Sequence, residues 1–345
     1  MKIVIDKAIP FISGVFEPYA ETLYLNGPQI TREDLLDAEA LITRSRTRCD
    51  SALLDGTAVK IIATATIGTG HIDMPYCDSR GIFVKTSSGS NAGGVMNYVF
   101  SALYGVAARK SIPLTGATFG VVGAGNVGSR VAAMARTLGF KVLVHDPYRN
   151  ASDLSSVSHC SLDTLLAESD IVTLHVQLSE NTRGMVDASF FERMKDGAIF
   201  INTAHGDLIV EDDLIDALPK LGAVIIDTWS GEPDINLTLV EEADIATPHI
   251  AGYSYQGKQL ATMMAVRSVA RFFGFEALYD FFPEAEVDGL AAVKLDFHDK
   301  SQGEIASMMQ YNYPVFTDDF IFRINPGDFN GMRENYRLRR EFYTD

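Results

Sequence analysis

The sequence predicts an α/β protein in which one strand–helix series is inserted into another. Three observations carry this. Apolar runs of strand length alternate with helix-patterned stretches from residue 1 to about residue 250. A glycine-rich turn, GAGNVG at 123–128, follows one such strand pattern and opens a helix. A long helical pattern at 256–273 then leaves the second series where a return crossover into the first is expected. Alternation of this kind builds parallel sheets with right-handed crossovers.

Residues 1–5 (MKIVI), 40–43 (ALIT) and 60–64 (KIIAT) read as strands. Between them, 31–38 (TREDLLDA) reads as a helix whose start Thr31 and Asp34 can cap. Residues 93–110 place Val95, Val99, Ala102, Leu103 and Val106 at helical spacing. The second series begins with strand 118–123 and a helix through about Leu138, followed by strand 141–146. Helix 162–169 precedes strand 170–176, helix 190–195 precedes strand 198–203, and helix 210–218 precedes strand 223–229. Strand 244–250 closes the series. From about residue 284 the chain becomes rich in charge and aromatic residues. The expected division is 1–92 with 255–283, an inserted domain at 93–254, and a C-terminal domain at 284–345.

At 345 residues the chain is too long for one typical core. A formal net charge of −16 repels phosphate backbones, which argues against nucleic acid as a partner. No basic segment followed by an apolar stretch marks an export signal, and no apolar run reaches membrane-spanning length. A cytoplasmic location is therefore expected, with no membrane partner. Cys49, Cys77 and Cys160 match no zinc or redox spacing and read as reduced thiols.

In GAGNVG, Gly123 permits the tight turn, Gly125 lets the backbone approach a pyrophosphate, and Gly128 allows close helix–strand contact. Asn126 and Val127 begin the helix whose N-terminus faces that anion. Asp146 ends the next strand, where a carboxylate takes the ribose hydroxyls and repels a 2′-phosphate. The expected cofactor is NAD rather than NADP. Three further segments fall at strand ends, where such sheets bind ligands: INTAHGD (201–207), DTWSGEP (227–233) and TPHIAGY (247–253). Oxidising an alcohol requires a base for the hydroxyl proton. His249 suits that task, and Glu232 could fix its tautomer. From spacing alone, either could equally be a surface residue.

These motifs, in this order and spacing, resemble the D-isomer-specific 2-hydroxyacid dehydrogenases over nearly the whole chain. The resemblance implies a Rossmann-type dinucleotide-binding domain inserted in a flavodoxin-like substrate domain, plus a small C-terminal dimerisation domain. It implies NAD-dependent oxidation of a small D-2-hydroxy acid by an Arg, a Glu and a His. Glu232 and His249 match, whereas His205 occupies the arginine position. An imidazole cannot reproduce the bidentate grip of a guanidinium on a carboxylate, although Arg44, Arg46 or Arg80 could compensate. On the cofactor side the resemblance adds His175, Val176, Ala204, Asp227 and Gly252.

Within the family, LITRSRT (41–47), ATATIGTGHID (63–73), HIAGY with the following GK, and the tail are similar to the branch acting on 4-phospho-D-erythronate in pyridoxal phosphate synthesis. Ser45, Thr66 and Tyr253 are then substrate contacts, and Arg44 and Arg46 take the phosphate. The expected partners are a small phosphorylated 2-hydroxy acid and a second copy of the chain. Two alternatives stay open. One is a 3-phosphoglycerate or hydroxypyruvate (glycerate) dehydrogenase. The other is a catalytically impaired NAD-binding module, which His205 favours.

Overall fold

The computed structural model describes residues 1–149, 158–284 and 289–344. The last residue of the expected C-terminal domain, 345, lies outside them, as do 150–157 of the inserted domain and 285–288 at the start of the tail. The chain forms two compact units: Met1–Asn91 with Tyr255–Ala291, and Ala92–Ser254 with Ala292–Asp345.

The first unit is built on five parallel strands: β1 Lys2–Asp6, β2 Glu21–Leu25, β3 Ala38–Thr43, β4 Ile61–Thr64 and β5 Phe83–Thr86. Their order, β2-β1-β3-β4-β5, is the flavodoxin-like one. The helix expected at 31–38 spans only Arg32–Leu35, because Ala38 is already drawn into β3. Its capping box between Thr31 and Asp34 is present. The return helix Tyr255–Phe273 lays Ala265, Val266, Val269 and Ala270 against the same core as Ile3, Ile5, Ile42 and Ile61.

Among the described residues, the main sheet of the second unit has seven parallel strands: β6 Thr118–Val122, β7 Lys141–His145, β8 Ser158–His159, β9 Ile171–Leu174, β10 Ile199–Asn202, β11 Ala223–Ile226 and β12 Ile245–Ala246. The order β12-β11-β10-β9-β6-β7-β8 is that of a Rossmann-type sheet, and it reverses direction at β6. The glycine turn follows β6, at the crevice this reversal creates. The strand expected at 244–250 stops after Ala246. Pro248 has no N–H for the ladder, and His249 adopts a left-handed φ of 56°.

Helix Ala92–Lys110 is buried from Ala92 through Ala107, on all of its faces. A surface helix would keep a polar stripe. The tail is what covers it. Tail helix Gln302–Asn312 places Ile305, Ala306 and Met309 in the same core cluster. Gln310 donates to Ser101 O at 2.6 Å, and Gln302 donates to Ile112 O at 2.8 Å. Asn97 closes a two-way pair with the Phe342 backbone, at 2.8 and 2.9 Å. Phe322 and Phe329 enter the core on the other face of the sheet. By their contacts, residues Ala292–Asp345 group with the second unit. Among the described residues, no helix is long and apolar enough to cross a membrane.

Candidate active site

The glycine turn is set by contact geometry. Gly123 has a φ of +90°, and a Cβ there would lie 2.7 Å from His175 O. A Cβ on Gly128 would meet Gly123 O at 1.9 Å. Only glycine fits either place. A Cβ on Gly125 would meet nothing within 4 Å, so the turn opens outward there. Gly125 is also the N-cap of helix Asn126–Thr137 and brings no side chain to cap it. Asp146 locks this arrangement by accepting Ala124 N at 2.8 Å and Tyr148 N at 3.0 Å. His175, hydrogen-bonded to Thr173 at 3.1 Å, has its pKa pushed down to about 3 by desolvation and is neutral at neutral pH. Val176 flanks the turn next to it. These residues fit a dinucleotide: an open helix N-terminus for the pyrophosphate and a fixed carboxylate one strand away.

The three strand-end segments converge within the same unit. His249 Nδ1 lies 2.8 and 3.1 Å from the two carboxylate oxygens of Glu232. Glu232 also accepts Trp229 N at 3.0 Å. Burial alone would raise its pKa. The His249 hydrogen bond and charge, the Trp229 N–H and the Arg333 charge together hold it below the usual carboxylate range. With Nδ1–H turned to Glu232, Nε2 carries the lone pair of the neutral ring. The positive φ at His249 is a strained setting for a side chain. Its N–H donates to Asp227 O at 2.7 Å and to Thr247 O at 3.0 Å.

Asp227 organises that turn from below. Its carboxylate accepts Thr247 Oγ1 at 2.7 Å, Ile250 N at 2.8 Å and Ala251 N at 3.0 Å. Because Thr247 Oγ1 donates to Asp227, it accepts from Tyr98 OH at 2.6 Å, which extends the chain into the core. Burial raises the Asp227 pKa, against the opposing pull of the His249 charge and these hydrogen bonds. Neither Tyr98 nor Thr247 stands out in the sequence, since a Tyr on an apolar helix reads as core.

His205 follows β10 and is exposed. Desolvation first and the His249 charge second lower its pKa, against Glu232 and Asp207, so its ring is neutral at neutral pH. The backbone beside it has no slack. A Cβ on Gly206 would lie 1.8 Å from the Trp229 carbonyl carbon. Asn202 Nδ2 donates to His205 O and to Thr228 Oγ1, both at 3.1 Å. Its Oδ1 accepts the N–H of half-buried Ala204 at 3.1 Å. Asp207 is tied to Arg183 at 2.6 Å and Ser230 at 2.7 Å. Gly252 and Tyr253 continue the His249 turn, and the Tyr253 ring meets the tail's Tyr336 edge to face at 6.0 Å.

A sequence profile described as the NAD binding domain of D-isomer specific 2-hydroxyacid dehydrogenase matches residues 103–251. An erythronate-4-phosphate dehydrogenase of Bacteroides fragilis is 40% identical over 99% of this chain and 97% of its own length. One from Salinibacter ruber is 36% identical over 99% and 92%. The chain belongs to the D-isomer specific 2-hydroxyacid dehydrogenase family. Among solved structures, the NAD-bound 3-phosphoglycerate dehydrogenase of Entamoeba histolytica matches with a TM-score of 0.67 and 25% identity, covering 83% of this chain and 99% of the other. The protein is accordingly an NAD-dependent oxidoreductase on an α/β fold.

The other residues expected in this dehydrogenase's site lie in the first unit. Arg44, Ser45 and Arg46 follow β3, and Thr66 follows the neighbouring strand β4. Ala65 N donates to Thr43 O at 2.9 Å, so the two loops leave the sheet side by side. Ser45 and Arg46 are exposed, while Arg44 and Thr66 are half-buried. Arg44 donates to Ala8 O at 3.1 Å. Thr66 pairs with Thr64 Oγ1 at 2.6 Å, and that oxygen also lies 3.3 Å from His71 Nε2. His71 gains no role from sequence. Burial lowers its pKa, which makes it a neutral partner in this cluster.

Proposed function

We propose that the protein oxidises 4-phospho-D-erythronate to 2-oxo-3-hydroxy-4-phosphobutanoate with NAD, in pyridoxal 5′-phosphate synthesis. The observation that carries this reading is the near-full-length likeness to relatives bearing the erythronate-4-phosphate dehydrogenase name, joined to a formed His249–Glu232 pair. His249 Nε2 takes the C2 hydroxyl proton, while Glu232 holds the Nδ1–H tautomer and stabilises the imidazolium that forms. NAD, when bound, accepts the hydride from C2. Gly123, Gly125, Asn126, Val127 and Gly128 hold its pyrophosphate, and Asp146 holds the adenosine ribose. His175 and Val176 line the adenosine side. Ala204, Asp227 and Gly252 lie on the nicotinamide side, where Asp227 also shapes the His249 turn.

On the substrate, His205 meets the carboxylate with one donor. Ser45, Thr66 and Tyr253 orient the hydroxyls, and Arg44 and Arg46 take the phosphate. Arg46 is exposed and Arg44 half-buried, which supports a role toward a ligand from outside. The protein works as a cytoplasmic homodimer. Tyr311, Phe320, Ile321 and Ile324 are exposed apolar side chains on the tail helices, and a second copy would cover them.

A second reading, an NAD-binding module with impaired catalysis, is favoured by the neutral imidazole of His205 in the arginine position. One experiment separates the readings. Nicotinamide absorbance is followed with 4-phosphoerythronate, 3-phosphoglycerate and glycerate, and with the corresponding keto acids in reverse. Turnover strongest on the phosphorylated four-carbon pair supports the proposal. Turnover strongest on a three-carbon acid assigns a different substrate. NAD binding with no turnover on any acid supports the impaired module.

A further inference from the structure

A cation reaches the His249–Glu232 pair from outside the nucleotide-binding sequence. Arg333 lies on the tail helix Phe329–Glu334. Its Nη1 is 3.9 Å from Glu232 Oε2, the oxygen that His249 Nδ1 approaches at 2.8 Å. The guanidinium rests on the buried Phe329 ring, 5.6 Å from its centroid. Its Nε is buried and has no hydrogen-bond partner. Leaving a buried charged donor unsatisfied is costly.

Three other tail arginines behave differently. Arg323 donates to the carbonyls of Val240, Glu241 and Ala243 and pairs with Asp319. Arg339 pairs with Asp318 and Tyr336, and Arg340 holds Asn312 through two nitrogens. Those side chains fasten the tail. Among the described residues, the ionised group that Arg333 approaches is Glu232.

We propose that Arg333 is a positioning residue of this active site: its guanidinium holds the Glu232 carboxylate against His249 and balances its charge. The NTAHG segment lacks a guanidinium, and the tail brings one to the neighbouring carboxylate. The Phe329 stack sets where the charge sits and keeps bulk water off one face of it. The proposal rests on the reading that His249 and Glu232 carry the proton transfer.

The test uses the full chain with NAD bound, comparing wild type, Arg333→Met and Arg333→Lys. Loss of aim in a proton-transfer pair is expected to lower kcat by about tenfold, short of the loss on deleting the base itself. KM for 4-phosphoerythronate and affinity for NAD stay unchanged, and Arg333→Lys recovers most of the rate. A raised KM at constant kcat would put Arg333 on the substrate and overturn the proposal. Unchanged kinetics with a lowered Tm would make it structural and do the same. A second readout needs no turnover. Carboxyl 13C NMR, with Glu232 assigned by its absence in Glu232→Gln, should show the Glu232 titration moving to higher pH in Arg333→Met but not in Arg333→Lys. No movement overturns the proposal. If the wild type turns over no acid, the proposed function fails while this titration still decides the role of Arg333.

Discussion

Replacing His205 with arginine tests how this site holds its substrate. A 2-hydroxy acid presents a planar carboxylate beside the reacting carbon. A guanidinium grips two oxygens with a permanent charge, whereas imidazole offers one donor in that direction. At this position the ring is also neutral, since desolvation and the His249 charge both lower its pKa. The wild type therefore forgoes a charged hydrogen bond, a difference of about 1.5–3 kcal/mol. His205 is exposed, so solvent screening puts the gain near the lower end, roughly tenfold in kcat/KM. The same exposure of His205 gives the longer arginine a solvent-facing side. Steady-state kinetics of both proteins between pH 5 and 9 make the comparison. The wild-type KM for the acid should fall only below the ordinary histidine range, where His205 finally protonates. The arginine form should show no such dependence. Lower kcat/KM for His205→Arg at every pH would refute the reasoning and mean that the site is rebuilt around the imidazole. Arg44 or Arg46 would then be the cation on the carboxylate.

His249→Ala should lower kcat by about 10²–10⁴-fold while calorimetric NAD affinity is retained; an unchanged rate would remove His249 from the mechanism. Glu232→Gln leaves the imidazolium without its charged partner, so the acid limb of the kcat profile should move to lower pH. NAD should bind far more tightly than NADP, because the Asp146 carboxylate meets the 2′-phosphate; equal affinities would sink the assignment. Phe320→Glu combined with Ile324→Glu should turn a dimer into monomers by light scattering without lowering Tm, since both side chains are exposed. An intact dimer would place the interface elsewhere. Truncation before residue 284 is a poorer probe, because it also strips Met309, Tyr313 and Phe342 from the core.

Much of the second unit was legible because its strands are buried on both faces and read as unbroken apolar runs. The glycine turn was legible because contact geometry leaves no room for a side chain at Gly123 and Gly128. Strands β2 and β5 escaped notice: ETLYL and FVKT are half-exposed edges with mixed polarity. The close of the sheet was misjudged because apolar character continues through Ile250, while Pro248 and the left-handed His249 end the ladder after Ala246. The apolar pattern of helix Ala92–Lys110 was visible, but not its cover, since the partner side chains lie far along the chain. Arg333 was invisible for the same reason. No local pattern joins a tail arginine to a glutamate about a hundred residues earlier.

The Asn97–Phe342 pair spans 245 residues. A growing polypeptide makes helix Ala92–Lys110 well before the segment that shields it. Until that segment follows, Tyr98 lacks the Tyr313 ring that meets it edge to face. Contacts of such long sequence separation form slowly, and waiting apolar surface invites aggregation. The core of the nucleotide-binding unit is therefore completed only when the tail joins it. Loss of the segment at Phe342 would take away both hydrogen bonds between the Asn97 side chain and its backbone.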